Sequence, residues 1–166
     1  IYAGTQPISL PAGWSIFSTY IEPYENNIDS VFSEIVGNTV LVKNQIGLVY
    51  YPQYSITLLD TLALGQGYQV KMSSGDTLSV TGIICQPQNS PILLTEGWNT
   101  IGYLRQSSAN ILQMFSSIES NTEIVKDDSG NIYWPQFNFN NIGNMLPGKG
   151  YQVKMISADT LVYPAN

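Results

Sequence analysis

The chain has 166 residues, of which 43% are hydrophobic but only 11% charged, and its net charge is −6. It contains no histidine and a single cysteine, Cys85, which excludes a Ser–His–Asp triad, a Cys–His pair, a zinc centre ligated by His or Cys, and an internal disulfide. The negative charge argues against a nucleic-acid surface and against anionic membranes, and no apolar run is long enough for a membrane-spanning helix.

The hydrophobic fraction suffices for a packed core, while the charged fraction falls far below the roughly 25% usual in soluble domains. Polarity comes from Asn, Ser, Thr and Gln, alongside 11 Tyr. That mixture suits an extracellular β protein, with β-branched and aromatic residues in strands and amides in turns. The opening residues, IYAGTQ, hold neither an initiator Met nor a signal peptide, so the chain is expected to be a piece of a longer multidomain protein.

In chain order, a Pro-Ala-Gly turn leads into a predicted strand over 14–18. Residues 28–36 carry apolar side chains at i, i+3, i+4 and i+7, which predicts a helix capped by Asn27 and ended by a left-handed Gly37. Residues 40–43 and 48–51 predict a hairpin around 44–47. Gly65-Gln66-Gly67 then turns into a strand over 68–72, and Ser74-Gly75-Asp76 turns that strand into 77–80.

The same series then recurs. GQGYQVKM at 65–72 returns as GKGYQVKM at 148–155, and Gly13-Trp14 returns as Gly97-Trp98. Ile28, Val31, Phe32 and Ile35 correspond to Ile111, Met114, Phe115 and Ile118, and YYPQY at 50–54 corresponds to YWPQF at 133–137. The organisation predicted is a first repeat over 1–82, a linker over 83–91 rich in Pro, Gln and Asn, and a second repeat over 92–166. The fold class expected is mainly β (α+β). Each repeat has about five short, mostly antiparallel strands and one short helix. A unit this small is marginal alone, so the two repeats are expected to pack around a pseudo-twofold axis.

Alternation assigns faces to the strands. Tyr68, Val70 and Met72 share one face, with Gln69 and Lys71 on the other, and Tyr151, Val153 and Met155 repeat this against Gln152 and Lys154. In the preceding strand, phasing from Val49 and Ile132 turns Tyr51 and Trp134 inward and leaves Tyr50 and Tyr133 pointing outward.

Gly97-Trp98-Asn99, Val125-Lys126-Asp127, Gly130-Asn131-Ile132-Tyr133-Trp134-Pro135 and Pro147-Gly148-Lys149-Gly150-Tyr151 together resemble a repeat found in large secreted proteins of Bacteroidetes and related bacteria. That repeat often lies ahead of a C-terminal sorting domain. The first copy departs from it, with Ser15 for the Asn, Tyr51 for the Trp and Asn44-Gln45 for the acidic pair. The resemblance implies a secreted, cell-surface, non-catalytic module and names no ligand.

Candidate chemistry centres on YPQY (51–54) and WPQF (134–137). Tyr50, Gln53, Tyr54, Tyr133, Gln136 and Phe137 are the candidate ligand-binding residues, offering rings for the C–H face of a sugar and amides for its hydroxyls. The structural alternative is a corner where Pro ends the strand ladder and the rings close the fold. KDDSGN (126–131) lacks the calcium-loop spacing and reads as a hairpin turn, so no metal site is expected. Carboxylates alone can run glycoside hydrolysis, but Asp76 and Asp159, which do recur, precede Thr-Leu at a turn. The lysines Lys43, Lys71, Lys126 and Lys154 suit solvent-facing strands that resist edge pairing, or, alternatively, internal isopeptide cross-links. Gly-rich phosphate loops are absent, and no cofactor is expected.

The function expected is therefore a non-catalytic extracellular binding or adhesion module, its partner a polysaccharide or a surface protein. The alternatives are a structural spacer or protein-interaction repeat, and a carboxylate-only hydrolase.

Overall fold

A computed structural model describes all of residues 1–166. The first half holds β1 (Ala3–Leu10), β2 (Gly13–Phe17), β3 (Ile21–Pro23), α1 (Ile28–Val31), β4 (Thr39–Lys43), β5 (Val49–Tyr51), β6 (Ile56–Thr57), β7 (Tyr68–Met72) and β8 (Asp76–Ile84). The second holds β9 (Ile92–Leu94), β10 (Gly97–Gly102), β11 (Ala109–Asn110), α2 (Ile111–Met114), β12 (Thr122–Lys126), β13 (Ile132–Trp134), β14 (Phe139–Asn140), β15 (Asn144–Met145), β16 (Gly150–Met155) and β17 (Asp159–Leu161). The fold is mainly β and every strand pair is antiparallel.

Two five-stranded sheets dominate, ordered β2-β7-β4-β5-β6 and β10-β16-β12-β13-β14. The octapeptide strands β7 and β16 lie second in each, so both ladders of each strand are paired. Their Tyr, Val and Met face inward, as alternation predicts: Tyr68, Val70 and Met72 are buried, as are Tyr151, Val153 and Met155. Three smaller sheets, β1-β8-β3, β17-β9 and β11-β15, complete the molecule. Strand β1 lies outside the predicted elements. Its alternating Gln6, Ile8 and Leu10 are buried through full-length pairing with β8, a strand about 70 residues away in sequence.

Each half has its own apolar cluster. One gathers Phe17, Ile28, Phe32, Val42, Tyr50 and Val70, and the other Ile101, Ile111, Phe115, Val125, Tyr133 and Val153. The predicted helix over 28–36 exists in part. Asn27 caps it by accepting Asp29 N–H at 3.0 Å and Ser30 N–H at 3.4 Å, but after Val31 the chain tightens into a 3-10 helix over Ser33–Asn38. Gly37 lies inside that 3-10 segment and is not left-handed. The end is capped instead by Thr39, whose hydroxyl donates to the Ile35 carbonyl at 3.0 Å, so no glycine is needed there. Thr122 does the same for Ile118 at 2.9 Å.

The faces of β5 and β13 are the reverse of those predicted. Tyr50 and Tyr133 are buried, each 2% exposed, while Tyr51 and Trp134 lie half-buried on the opposite face. Register is the cause: Tyr50 sits directly across from buried Val42, and Tyr133 from buried Val125. A one-residue change of phase moves every side chain of a strand to the other face.

The GxG turns pack against the other half of the chain. Phe17 bridges to Lys149 and Ile101 bridges to Gln66. Ser18 N–H donates to Gly148 O at 3.0 Å, and Gly102 N–H donates to Gly65 O at 2.9 Å. Gly65 and Gly148 hold φ of 85° and 83°, a region hostile to side chains. At Gly67 an added Cβ would stand 2.6 Å from the Ile101 carbonyl oxygen, and at Gly150 it would stand 2.5 Å from Ile16 Cγ2. Both glycines of each turn are thus explained, the first by backbone conformation and the second by close approach.

Candidate functional site

The outward faces of the two large sheets carry the most exposed tryptophans. Trp14 on β2 lies across from Lys71 and is 50% exposed; Trp98 on β10 lies across from Lys154 and is 46% exposed. Their neighbours on these strands alternate inward to Ser15 and Asn99, which are buried. Lys43 Nζ stands 5.3 Å and Lys71 Nζ 5.9 Å from the centre of the Trp14 ring, and Lys126 Nζ stands 5.0 Å from that of Trp98. These are cation–π distances, so each indole is held beside positive charge.

Where the outward faces meet between the halves there is a cleft of about 480 Å³, lined by Trp14, Ile16, Lys43 and Gln69 from one side and Asp127, Asp128, Gly130 and Gln152 from the other. The carboxylates are already committed. Asp127 accepts Ser129 N–H and Asn131 N–H through Oδ1 and the Asn131 amide through Oδ2, which makes 126–131 the hairpin turn its sequence suggests. Asp128 Oδ2 accepts Ile16 N–H at 2.9 Å and lies 3.5 Å from Lys149 Nζ. The only ion pairs in the chain are Lys149–Asp128 and Lys154–Glu123, which leaves Lys43 and Lys71 without a carboxylate partner. The cleft-wall groups without a hydrogen-bond or carboxylate partner are the Ser15 hydroxyl, the Lys43 ammonium, which lies over the half-exposed Trp14 ring, and the amides of Gln69 and Gln152.

The residues singled out from sequence divide into two sets. Tyr50 and Tyr133 belong to the core, packed on Phe32 and Phe115 with ring centres 6.0 and 6.3 Å apart. Burial, reinforced by the Asp29 carboxylate, pushes the Tyr50 phenol up to about 12; burial also raises that of Tyr133. Both rings lie inside the core, away from the surface. Gln53 and Tyr54, and likewise Gln136 and Phe137, are exposed on the 3-10 turns Pro52–Tyr54 and Pro135–Phe137. Proline opens each turn, and a left-handed Ser55 (φ 52°) or Asn138 (φ 51°) closes it. Tyr54 packs edge-on to Tyr51 at 4.6 Å and Phe137 edge-on to Trp134 at 4.5 Å, yet they remain 61% and 67% exposed. Gln53 also borders a groove of about 410 Å³ shared with Val36, Gly37 and Val40.

Trp14 and Trp98 are exposed aromatics absent from the residues singled out by sequence, as are Tyr2, Tyr24 and Phe139. Their signal was present, a Trp kept at both copies in a strand and preceded by glycine, but it marks the repeat equally well. The recurrent Asp76 and Asp159 are turn residues: hydrogen bonds from the Asn38 and Asn121 amides, then from Thr77 and Thr160 N–H, hold their carboxyls below the usual range. Cys85 is half-buried, donates to Leu104 O, and is pushed up to about 11 by burial. Comparison with protein-family models, with curated proteins and with solved structures returns no match.

Proposed function

We propose that this chain is a non-catalytic, extracellular binding module that recognises saccharide chains through exposed aromatic side chains on its surface. The observation that carries this reading is the paired exposure of large rings at matching places in both halves: Trp14 with Trp98, and Tyr54 with Phe137. An exposed ring beside hydrogen-bonding amides suits the mixed apolar and polar faces of a sugar. An extracellular setting is supported by the low charge and the Asn-, Ser- and Thr-rich surface. We further propose a duplicated unit, 1–82 and 92–166 joined through 83–91, with the copies related by an approximate twofold. The reciprocal contacts of the GxG turns support this.

A second reading has its own support. The lysines lying over Trp14 and Trp98 satisfy those rings within the chain, as a purely structural spacer or protein-interaction repeat of a secreted surface protein requires. Trp fluorescence titrated with a panel of plant, algal and bacterial polysaccharides separates the two. The titration is run on the native chain and on Trp14→Ala/Trp98→Ala and Tyr54→Ala/Phe137→Ala, with Trp134 as the remaining reporter. Binding predicts a saturable change that one pair of substitutions abolishes; a flat response from folded protein across the panel supports the spacer.

A further inference from the structure

We propose that the cleft between the two large sheets binds a saccharide carrying an isolated carboxylate, a hexuronate unit flanked by neutral sugars. This rests on the carbohydrate-binding reading above and assigns it a site and a ligand class. Trp14 supplies a half-exposed ring at one wall, on which the C–H face of a pyranose can stack. Gln69 and Gln152, one from each sheet, present amides that donate to and accept from hydroxyls.

The charge pattern selects the acid. Asp127 and Asp128 keep their charges, the first with its oxygens tied into its own turn and the second beside Lys149, and against these two carboxylates stand three lysines, Lys43, Lys71 and Lys149, one cation in excess. Lys43 lines the cleft with no carboxylate partner, and Lys71, also unpaired, stands over the same indole. A ligand that supplies one carboxylate completes this arrangement, since a charged hydrogen bond in a partly enclosed cleft is stronger than one between neutral groups. The net charge of the whole chain, −6, sets the opposite limit. A polymer charged at every residue meets long-range repulsion, whereas a single uronate meets mainly the local lysines. The volume, about 480 Å³, suits a short stretch of two or three sugar rings.

The test is calorimetric titration with three probes: a xylo-oligosaccharide bearing one glucuronic acid, the unsubstituted oligosaccharide of the same length, and an oligogalacturonide. The singly acidic probe should bind about tenfold or more tightly than either of the others, a preference that Lys43→Gln removes. Trp14→Ala should abolish binding of all three, and Tyr54→Ala/Phe137→Ala should leave it unchanged. Equal affinity for the acidic and neutral probes overturns uronate recognition and leaves the carbohydrate reading standing. Binding that survives Trp14→Ala but is lost in Tyr54→Ala/Phe137→Ala moves the site to the corners and overturns the cleft. No binding of any probe, when some polysaccharide of the wider panel does bind, overturns the ligand class alone; silence across the panel overturns both proposals.

Discussion

Gln45 and Asp128 stand at the same place in two hairpins, and each accepts a backbone N–H from the strand at the edge of the opposite sheet. Gln45 Oε1 accepts Thr100 N–H at 2.7 Å, and Asp128 Oδ2 accepts Ile16 N–H at 2.9 Å. Both donors are edge-strand amides facing the other half of the chain. Loss of one acceptor removes a hydrogen bond worth about 0.5–1.5 kcal/mol, less at the exposed Gln45 pair than at the half-buried Asp128 pair. Asp128→Ala and Gln45→Ala are each expected to lower the thermal midpoint by a few degrees, at about 2–4 °C per kcal/mol for a chain of this size. Differential scanning calorimetry checks this. An unchanged midpoint in both variants means these bonds do not hold the halves together.

Asn99 should be worth more than its counterpart Ser15. Its amide accepts Thr95 N–H at 3.0 Å and donates to Thr95 O at 2.8 Å and Gly97 O at 3.1 Å, clasping the turn before β10. In the first half the shorter Ser15 leaves its buried hydroxyl without a partner, and Pro11, standing where Thr95 does, has no N–H to offer. Asn99→Ala is expected to cost about 2–3 kcal/mol and Ser15→Ala about zero. Urea denaturation of the two variants decides it, with comparable losses contradicting the assignment.

The second glycine of each GxG turn admits no side chain. Gly67→Ala brings Cβ against a carbonyl oxygen that belongs to a strand, and Gly150→Ala brings it against Ile16 and the Phe17 carbonyl. Each is expected to destabilise by about 1–3 kcal/mol, the range for overpacking. Gly75→Ala, whose Cβ would find nothing nearer than 3.7 Å, is the control. Equal stabilities for Gly67→Ala and Gly75→Ala would count against the close approach.

Asp76 and Asp159 make the fold acid-sensitive. Their carboxyls are held low in the folded chain by Asn38 and Asn121, so the stability they contribute is fully present above the unfolded carboxylate value of about 3.9 and is lost as the pH falls through the lower folded value. The stability gap between the native chain and Asp76→Asn or Asp159→Asn should therefore be open at about pH 6 and narrow as the pH falls below the unfolded carboxylate value. Denaturation curves across that interval measure it, and a gap independent of pH refutes the linkage.

Removing a buried ring differs from removing an exposed one. Tyr50→Ala and Tyr133→Ala are expected to cost about 3–5 kcal/mol each, while Tyr54→Ala and Phe137→Ala should stay within about 0.5 kcal/mol of the native chain. Chemical denaturation monitored by far-UV circular dichroism distinguishes the sets. Near-equal effects would contradict the burial of Tyr50 and Tyr133.

Local pattern carried the elements but not their pairing. The alternation of GxGYQVKM found β7 and β16 with the correct buried faces, and Asn27 was recognisable as a cap because its chemistry is confined to three residues. The phase of β5 was not legible. In YY and YW both neighbours are large and aromatic, and only the cross-strand partner, Val42 or Val125, decides which one enters the core. Strand β1 depends on β8, and the cleft depends on the juxtaposition of Gln69 with Gln152, so both belong to tertiary structure. The four exposed candidates, Gln53, Tyr54, Gln136 and Phe137, lie on proline-initiated turns, where sequence is a good guide to the surface.

The exchange of GxG turns between the halves has a bearing on assembly. Phe17 meets Lys149 while Ile101 meets Gln66, so each half both offers a turn and receives one. Mutual contacts of this kind are satisfied by a single partner, whereas head-to-tail contacts leave an unmet surface at each end and propagate into rods or solenoids. Two such halves form a closed pair, and no third can be recruited through the same turns. In a longer polypeptide, units built this way would be strung like separate beads, their reach set by the segments between them.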